Sequence, residues 1–121
     1  AAQDPEPLAS LAANRTLLTF CPWSNVALCN LPSLADAPVR AFLDAGVRFS
    51  VNSDDPAYFG AYIQEVYCRV QDTFNLSIDE WAWIVRGGVE EAWCADERKA
   101  VVLNEIEQVV TKFKGEKAVE A

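Results

Sequence analysis

Histidine and methionine are both absent from the 121 residues of this chain, methionine even from position 1. Without histidine there is no imidazole for acid/base work near neutral pH and no nitrogen ligand for a transition metal. The missing methionine leads to the expectation that the chain is a piece of a longer one. Positive charge is scarce, with ten Lys and Arg against eighteen Asp and Glu, a net charge of -8 and a pI of about 4.4. No basic stripe is available to neutralise phosphates, which argues against nucleic acid and anionic membranes as partners and leaves small neutral ligands or proteins. No apolar run approaches the ~20 residues that cross a bilayer. The opening "AAQDPEPLAS" also lacks the regions of a signal peptide, so a soluble protein is expected, cytoplasmic, with the nucleus as a second location. The four cysteines, Cys21, Cys29, Cys68 and Cys94, form no C-x-x-C pair and no dense disulfide framework. Reduced, half-buried thiols are expected.

What is present is enough apolar matter for one small domain: 51% of the residues are hydrophobic. Residues 1–114 read as a single α/β unit and residues 115–121 as a polar, frayed tail. Asp4, Pro5 and Glu6 signal a helix start, with Leu8, Leu11 and Ala12 on its buried face. "TLLTFC", Thr16 to Cys21, is a compact apolar run of strand length whose continuity predicts burial on both faces. The stretch from Pro22 to Ala37 reads as a loop in which Ser24, Asn25 and Asn30 favour turns and Asp36 caps the next helix. That helix carries Val39, Phe42 and Leu43 and stops at Gly46. "VRFSV", Val47 to Val51, alternates apolar and polar side chains as a second strand.

Beyond it the pattern is helical. Apolar residues from Tyr58 to Phe74 recur at spacings of three and four. Ser77 and Glu80 form a capping box ahead of a helix with Trp81 and Val85 inward, which Gly87 and Gly88 are expected to interrupt. A final helix from Asp96 runs through Leu103, Ile106 and Val110 to about Phe113. Trp23, Trp81, Trp83 and Trp93 are assigned chiefly to core packing, and the acidic Glu90, Glu91, Asp96 and Glu97 to a solvated complement of a helix dipole. Helices alternating with strands point to parallel strands. Two strands alone leave two open edges, and a (β/α)8 barrel needs ~250 residues, so the length suits the end of something larger.

The most informative stretch is "VNSDDPAYFG". Local chemistry explains it as a helix start, with Asp55 capping, Pro56 in the first turn and Asp54 complementing the dipole. Alternatively, Asp54 stands at the carboxyl end of the second strand, the edge on which barrel active sites are built. Two carboxylates so close then call for a cation, since otherwise they repel and one stays protonated.

"TFCPWSN" followed by "VRFSVNSDDPAYFGAYIQEVY", with "DPEPLASLAAN" ahead of both, resembles the carboxyl-terminal third of the adenosine and adenine deaminase family over nearly the whole chain. The resemblance implies a zinc-dependent (β/α)8 barrel that hydrolyses the exocyclic amine of a purine, the two strands here being the seventh and eighth. It implies Asp54 as a zinc ligand and Asp55 as the carboxylate that hydrogen-bonds the purine ring. Zinc in that chemistry lowers the pKa of bound water to make hydroxide available. Asn52 and Ser53 are taken to support the site, and Ser24 and Asn25 to be structural. "SDDPAYFG" is closer to the adenine than to the adenosine deaminases, so adenine is the first choice of substrate, adenosine the alternative, and purine salvage the role. The family's histidine ligands and its acid/base glutamate have no counterpart here, so no catalytic residue is assigned, and Gly87 stands where the family tends to carry Asn. The rest of the barrel is needed; the chain alone is expected neither to hold zinc tightly nor to act on a purine. The competing possibility is a non-catalytic remnant serving as an interaction or regulatory module.

Overall fold

The computed structural model describes residues 5–120. In chain order it runs α1 (Pro5–Ala13), β1 (Leu18–Phe20), α2 (Pro22–Ala27), a 3-10 turn (Leu34–Asp36), α3 (Val39–Asp44), β2 (Phe49–Val51), α4 (Pro56–Phe59), α5 (Ile63–Phe74), α6 (Ile78–Glu90) and α7 (Asp96–Glu120). The expected cap at Asp4 lies outside the described residues. The strands pair in parallel, Leu18 opposite Phe49 and Phe20 opposite Val51. This is an α/β arrangement, mostly helical, with a two-stranded sheet.

The core forms where α3 crosses the sheet. Phe42 meets Phe20 edge-on at 5.7 Å and Phe49 at 5.4 Å. Val39, Val47, Val66, Val70 and Ile84 are fully buried around them, each contributing roughly 1.5–3 kcal/mol by leaving water. Expected burial is reversed between the strands. In β1 Thr19 is exposed, so the run expected to be covered on both faces is covered on one. In β2 even Ser50 is half-buried, because α6 lies over it.

That placement also explains the two glycines. They do not interrupt α6, which passes through both to Glu90. Gly87 lies against the Arg48 side chain, and a methyl group at Gly88 would stand 3.5 Å from the Ser50 Cβ. Both distances are ordinary contacts, so α6 packs against Ser50 and Arg48 with room for a methyl group at either glycine. The helical period from Tyr58 to Phe74 is in turn split in two by Gly60, which caps α4 at φ 69°.

Further expectations are corrected. Residues 22–27 are helical, started by Pro22 at the first turn. Asp36 accepts a hydrogen bond from Ser33 Oγ at 2.7 Å inside the 3-10 turn, and Pro38 holds the N-cap of α3. Glu90 pairs with Arg15 at 3.2 Å and with Arg48, tying the end of α6 to β2 instead of standing in solvent. The last helix continues past Phe113 to Glu120. The thiols are free, but only Cys21 is half-buried and the other three are exposed. Among the tryptophans, Trp81 stacks on Tyr67 with centroids 4.9 Å apart, whereas Trp93 is wholly exposed. The capping box is present, with Ser77 N–H donating to Glu80 Oε2 and Glu80 N–H to Ser77 Oγ. No helix among the described residues is long and apolar enough to cross a membrane.

Candidate active-site edge

Parallel pairing brings the carboxyl ends of both strands to one edge. The last bond between them runs from Asn52 N–H to the Phe20 carbonyl at 2.8 Å. One residue further on β1 is Cys21, and two further on β2 is Asp54. Asn52 turns its amide back to Ser50, donating to the carbonyl and to Oγ, both at 2.9 Å. That side chain braces the strand end.

The chain then reverses sharply. Asp54 adopts φ 56°, a left-handed conformation that costs most L residues roughly 1–2 kcal/mol but that aspartate tolerates better. Asp55 follows at φ -86°, ψ 89°, in the N-cap position of α4. Its side chain makes no capping bond, so the expected cap is a position without the interaction. Both carboxylates are exposed at the edge. The structure thus presents two adjacent acids that the fold does not consume.

Cys21 belongs to this edge, which sequence inspection did not reveal. Burial pushes its thiol up, and the neighbouring Asp54 charge pushes the same way, opposed by a hydrogen bond from the Asp54 backbone. The signal was in the strand register, since the residue after Phe20 must face those after Val51. Ser24 is buried and donates to the Cys21 carbonyl at 3.1 Å, and the Asn25 N–H donates to the same oxygen at 3.1 Å. These bonds seat α2 on the end of β1.

The turn is held from beyond as well. Trp23 Nε1 donates to the Phe59 carbonyl at 3.0 Å, and Arg69 lies over the indole, 3.7 Å from its ring centre to the guanidinium carbon. Arg69 pairs in turn with Glu65 one helical turn away.

A catalytic zinc takes three protein ligands. Among the described residues no group of three or more His, Cys, Asp or Glu is placed to hold a metal. The residues present therefore do not make a zinc site by themselves.

The profile of adenosine deaminases matches residues 1–109. The chain belongs to the adenosine deaminase family. Over 94% of its length it is 81% identical to an adenine deaminase of Gibberella zeae, of which it covers 32%. The crystal structure of an adenine deaminase from Arthrobacter aurescens superposes on 90% of the chain with a TM-score of 0.85 and 36% identity, the match covering 33% of that protein. An amidohydrolase from Burkholderia ambifaria, solved with bound Zn, has the same fold at a TM-score of 0.71 and 21% identity, over 90% of this chain and 33% of that one. The chain thus spans about a third of the length of the family members it matches.

Proposed function

We propose that this chain is the carboxyl-terminal segment of a zinc-dependent adenine deaminase, supplying the seventh and eighth strands of its (β/α)8 barrel. Adenine and water yield hypoxanthine and ammonia. Asp54 supplies one ligand to the metal, and Asp55 binds the purine ring. The metal's other ligands and the acid/base group come from outside the chain, so residues 1–121 alone bind no zinc tightly and deaminate nothing.

The observation that carries this reading is the edge itself. Two parallel strands end side by side, and β2 ends in two exposed carboxylates that no capping bond occupies. Catalytic groups of a barrel gather at that edge. The choice of adenine over adenosine follows the 81% identity with a relative named for adenine.

A graft tests it: the chain replaces the matching third of the Gibberella zeae protein, and ammonia release from adenine and from adenosine is followed alongside bound zinc. The expected graft holds zinc and prefers adenine. Asp54→Ala should lose the metal and at least about 100-fold of activity, since even residues that only support a ligand cost up to that much. A folded, zinc-loaded graft that deaminates neither purine would overturn the proposal in favour of a non-catalytic module.

A further inference from the structure

We propose that Trp23 is a positioning residue for the Asp54–Asp55 turn, gripping the far end of α4 through the Phe59 carbonyl while Arg69 holds the indole in place. The inference rests on the reading of Asp54 and Asp55 as the functional pair.

The geometry starts from a helix too short to hold itself. α4 has four residues, Pro56–Phe59, and an isolated turn of helix is unstable in water. Its internal bonds run from Tyr58 and Phe59 N–H to the Asp55 carbonyl and from Gly60 N–H to the Pro56 carbonyl. The carbonyls of its last residues have no partner within the helix. Phe59 finds one 36 positions earlier in sequence, in Trp23 Nε1 at 3.0 Å. Because Asp55 O anchors the first bonds of α4 and Phe59 O the last contact, the indole fixes the segment that leaves the two aspartates.

Trp23 is itself held from both sides. Pro22 and Ser24, buried on either side of it, seat α2 on the end of β1, and the Arg69 guanidinium covers the ring 3.7 Å from its centre. Such a contact is more favourable when partly desolvated, and the pairing of Arg69 with Glu65 keeps the guanidinium in place. The chain Glu65, Arg69, Trp23, Phe59 thus runs from α5 through α2 to α4. Trp23 donates its one N–H to Phe59 and not to either aspartate; it acts through the backbone between.

Amide exchange of the grafted deaminase tests this by a readout other than turnover. Trp23→Phe keeps an aromatic ring near Arg69 and removes the N–H together with the five-membered part of the indole, so the α2 amide of Asn25, next to the lost atoms but not bonded to the indole, is followed as the packing control. The expected result is exchange about 5- to 10-fold faster at Phe59 and Gly60, the range of one net hydrogen bond, with Ile84 in α6 unchanged. Arg69→Met should give a smaller rise at the same two amides. In the grafted deaminase, Trp23→Phe should lower kcat for adenine at unchanged KM and zinc content. Exchange at Phe59 and Gly60 that is unchanged, or that rises no more than at Asn25 in α2, would leave packing alone as the role of Trp23 and overturns the proposal. If exchange responds while the native graft is inactive, the grip on α4 stands and the deaminase reading falls. If the graft is active and exchange does not respond, the reverse holds.

Discussion

Asp54 is held in a conformation that its own backbone disfavours. At φ 56° a glycine is at ease and a β-branched residue is not. Asp54→Gly should therefore raise the urea midpoint by the equivalent of up to about 1 kcal/mol, and Asp54→Val lower it by about 1–2 kcal/mol. In the grafted deaminase the same glycine should release the metal. Stability gained where metal is lost would mark a residue kept for chemistry; a glycine variant less stable than the native chain would show that the carboxylate supports the fold. A second acid does support the fold. Glu80 accepts the Ser77 backbone N–H and pairs with Arg40, and the bond from Ser77 does most to hold its carboxyl below the ordinary glutamate range. A lowered folded pKa stabilises above the unfolded value of ~4.3 and stops doing so as acid protonates the group. Glu80→Gln, which keeps the shape and removes the charge, should cost about 1 kcal/mol at neutral pH and less near pH 3, measured as urea midpoints at both. An equal loss at both values would remove the carboxylate from the explanation. Both acids were legible in the sequence, one by its capping-box spacing and one by its place after a strand. The left-handed turn at Asp54 and the thiol beside it were not, because each depends on how two distant strand ends meet.

At the scale of elements, two glycines with one shared composition have opposite meanings. Gly60 stands at φ 69° with open space where a side chain would go, so Gly60→Ala should cost about 1 kcal/mol through the backbone alone. Gly88 has ordinary helical geometry, and a methyl group there meets Ser50 at an ordinary contact distance. Gly88→Ala should therefore stabilise α6 by roughly 0.5–1 kcal/mol, the helix preference of alanine. Thermal melts separate the two by sign. A drop at Gly88→Ala would mean that α6 and β2 have no room to move apart. Local pattern placed the longer helices through their apolar spacing, and it located Ser77, Gly46 and both strands, but it missed α2 and the break between α4 and α5. It misjudged Gly87 and Gly88 because packing of α6 on β2 carries the helix through both, and local pattern does not show that packing. It also reversed the burial of the strands, since which strand α6 covers is decided by packing across the fold.

At the scale of the whole molecule, the two-stranded sheet has no neighbour on either outer edge among the described residues. Parallel strands bond at alternate residues. Leu18 N–H donates to the Arg48 carbonyl and Asn52 N–H to that of Phe20, so by alternation the Thr19 and Val51 N–H groups point away from the shared edge. Such free edges are sites for further pairing. A closed barrel would place one more strand beside β1 and another beside β2, and both amides would then be bonded. The expected outcome is that Thr19 and Val51 exchange quickly in the 121-residue chain and slow by about 100-fold or more in the grafted deaminase, as amides do on entering a stable core. Leu18 and Asn52 should change less, being bonded in both. The comparison separates the two accounts of the chain by physics independent of turnover. A barrel segment must gain protection on both outer edges at once, because closure leaves none open, whereas a self-sufficient module grafted beside a foreign partner has no reason to gain it on more than one.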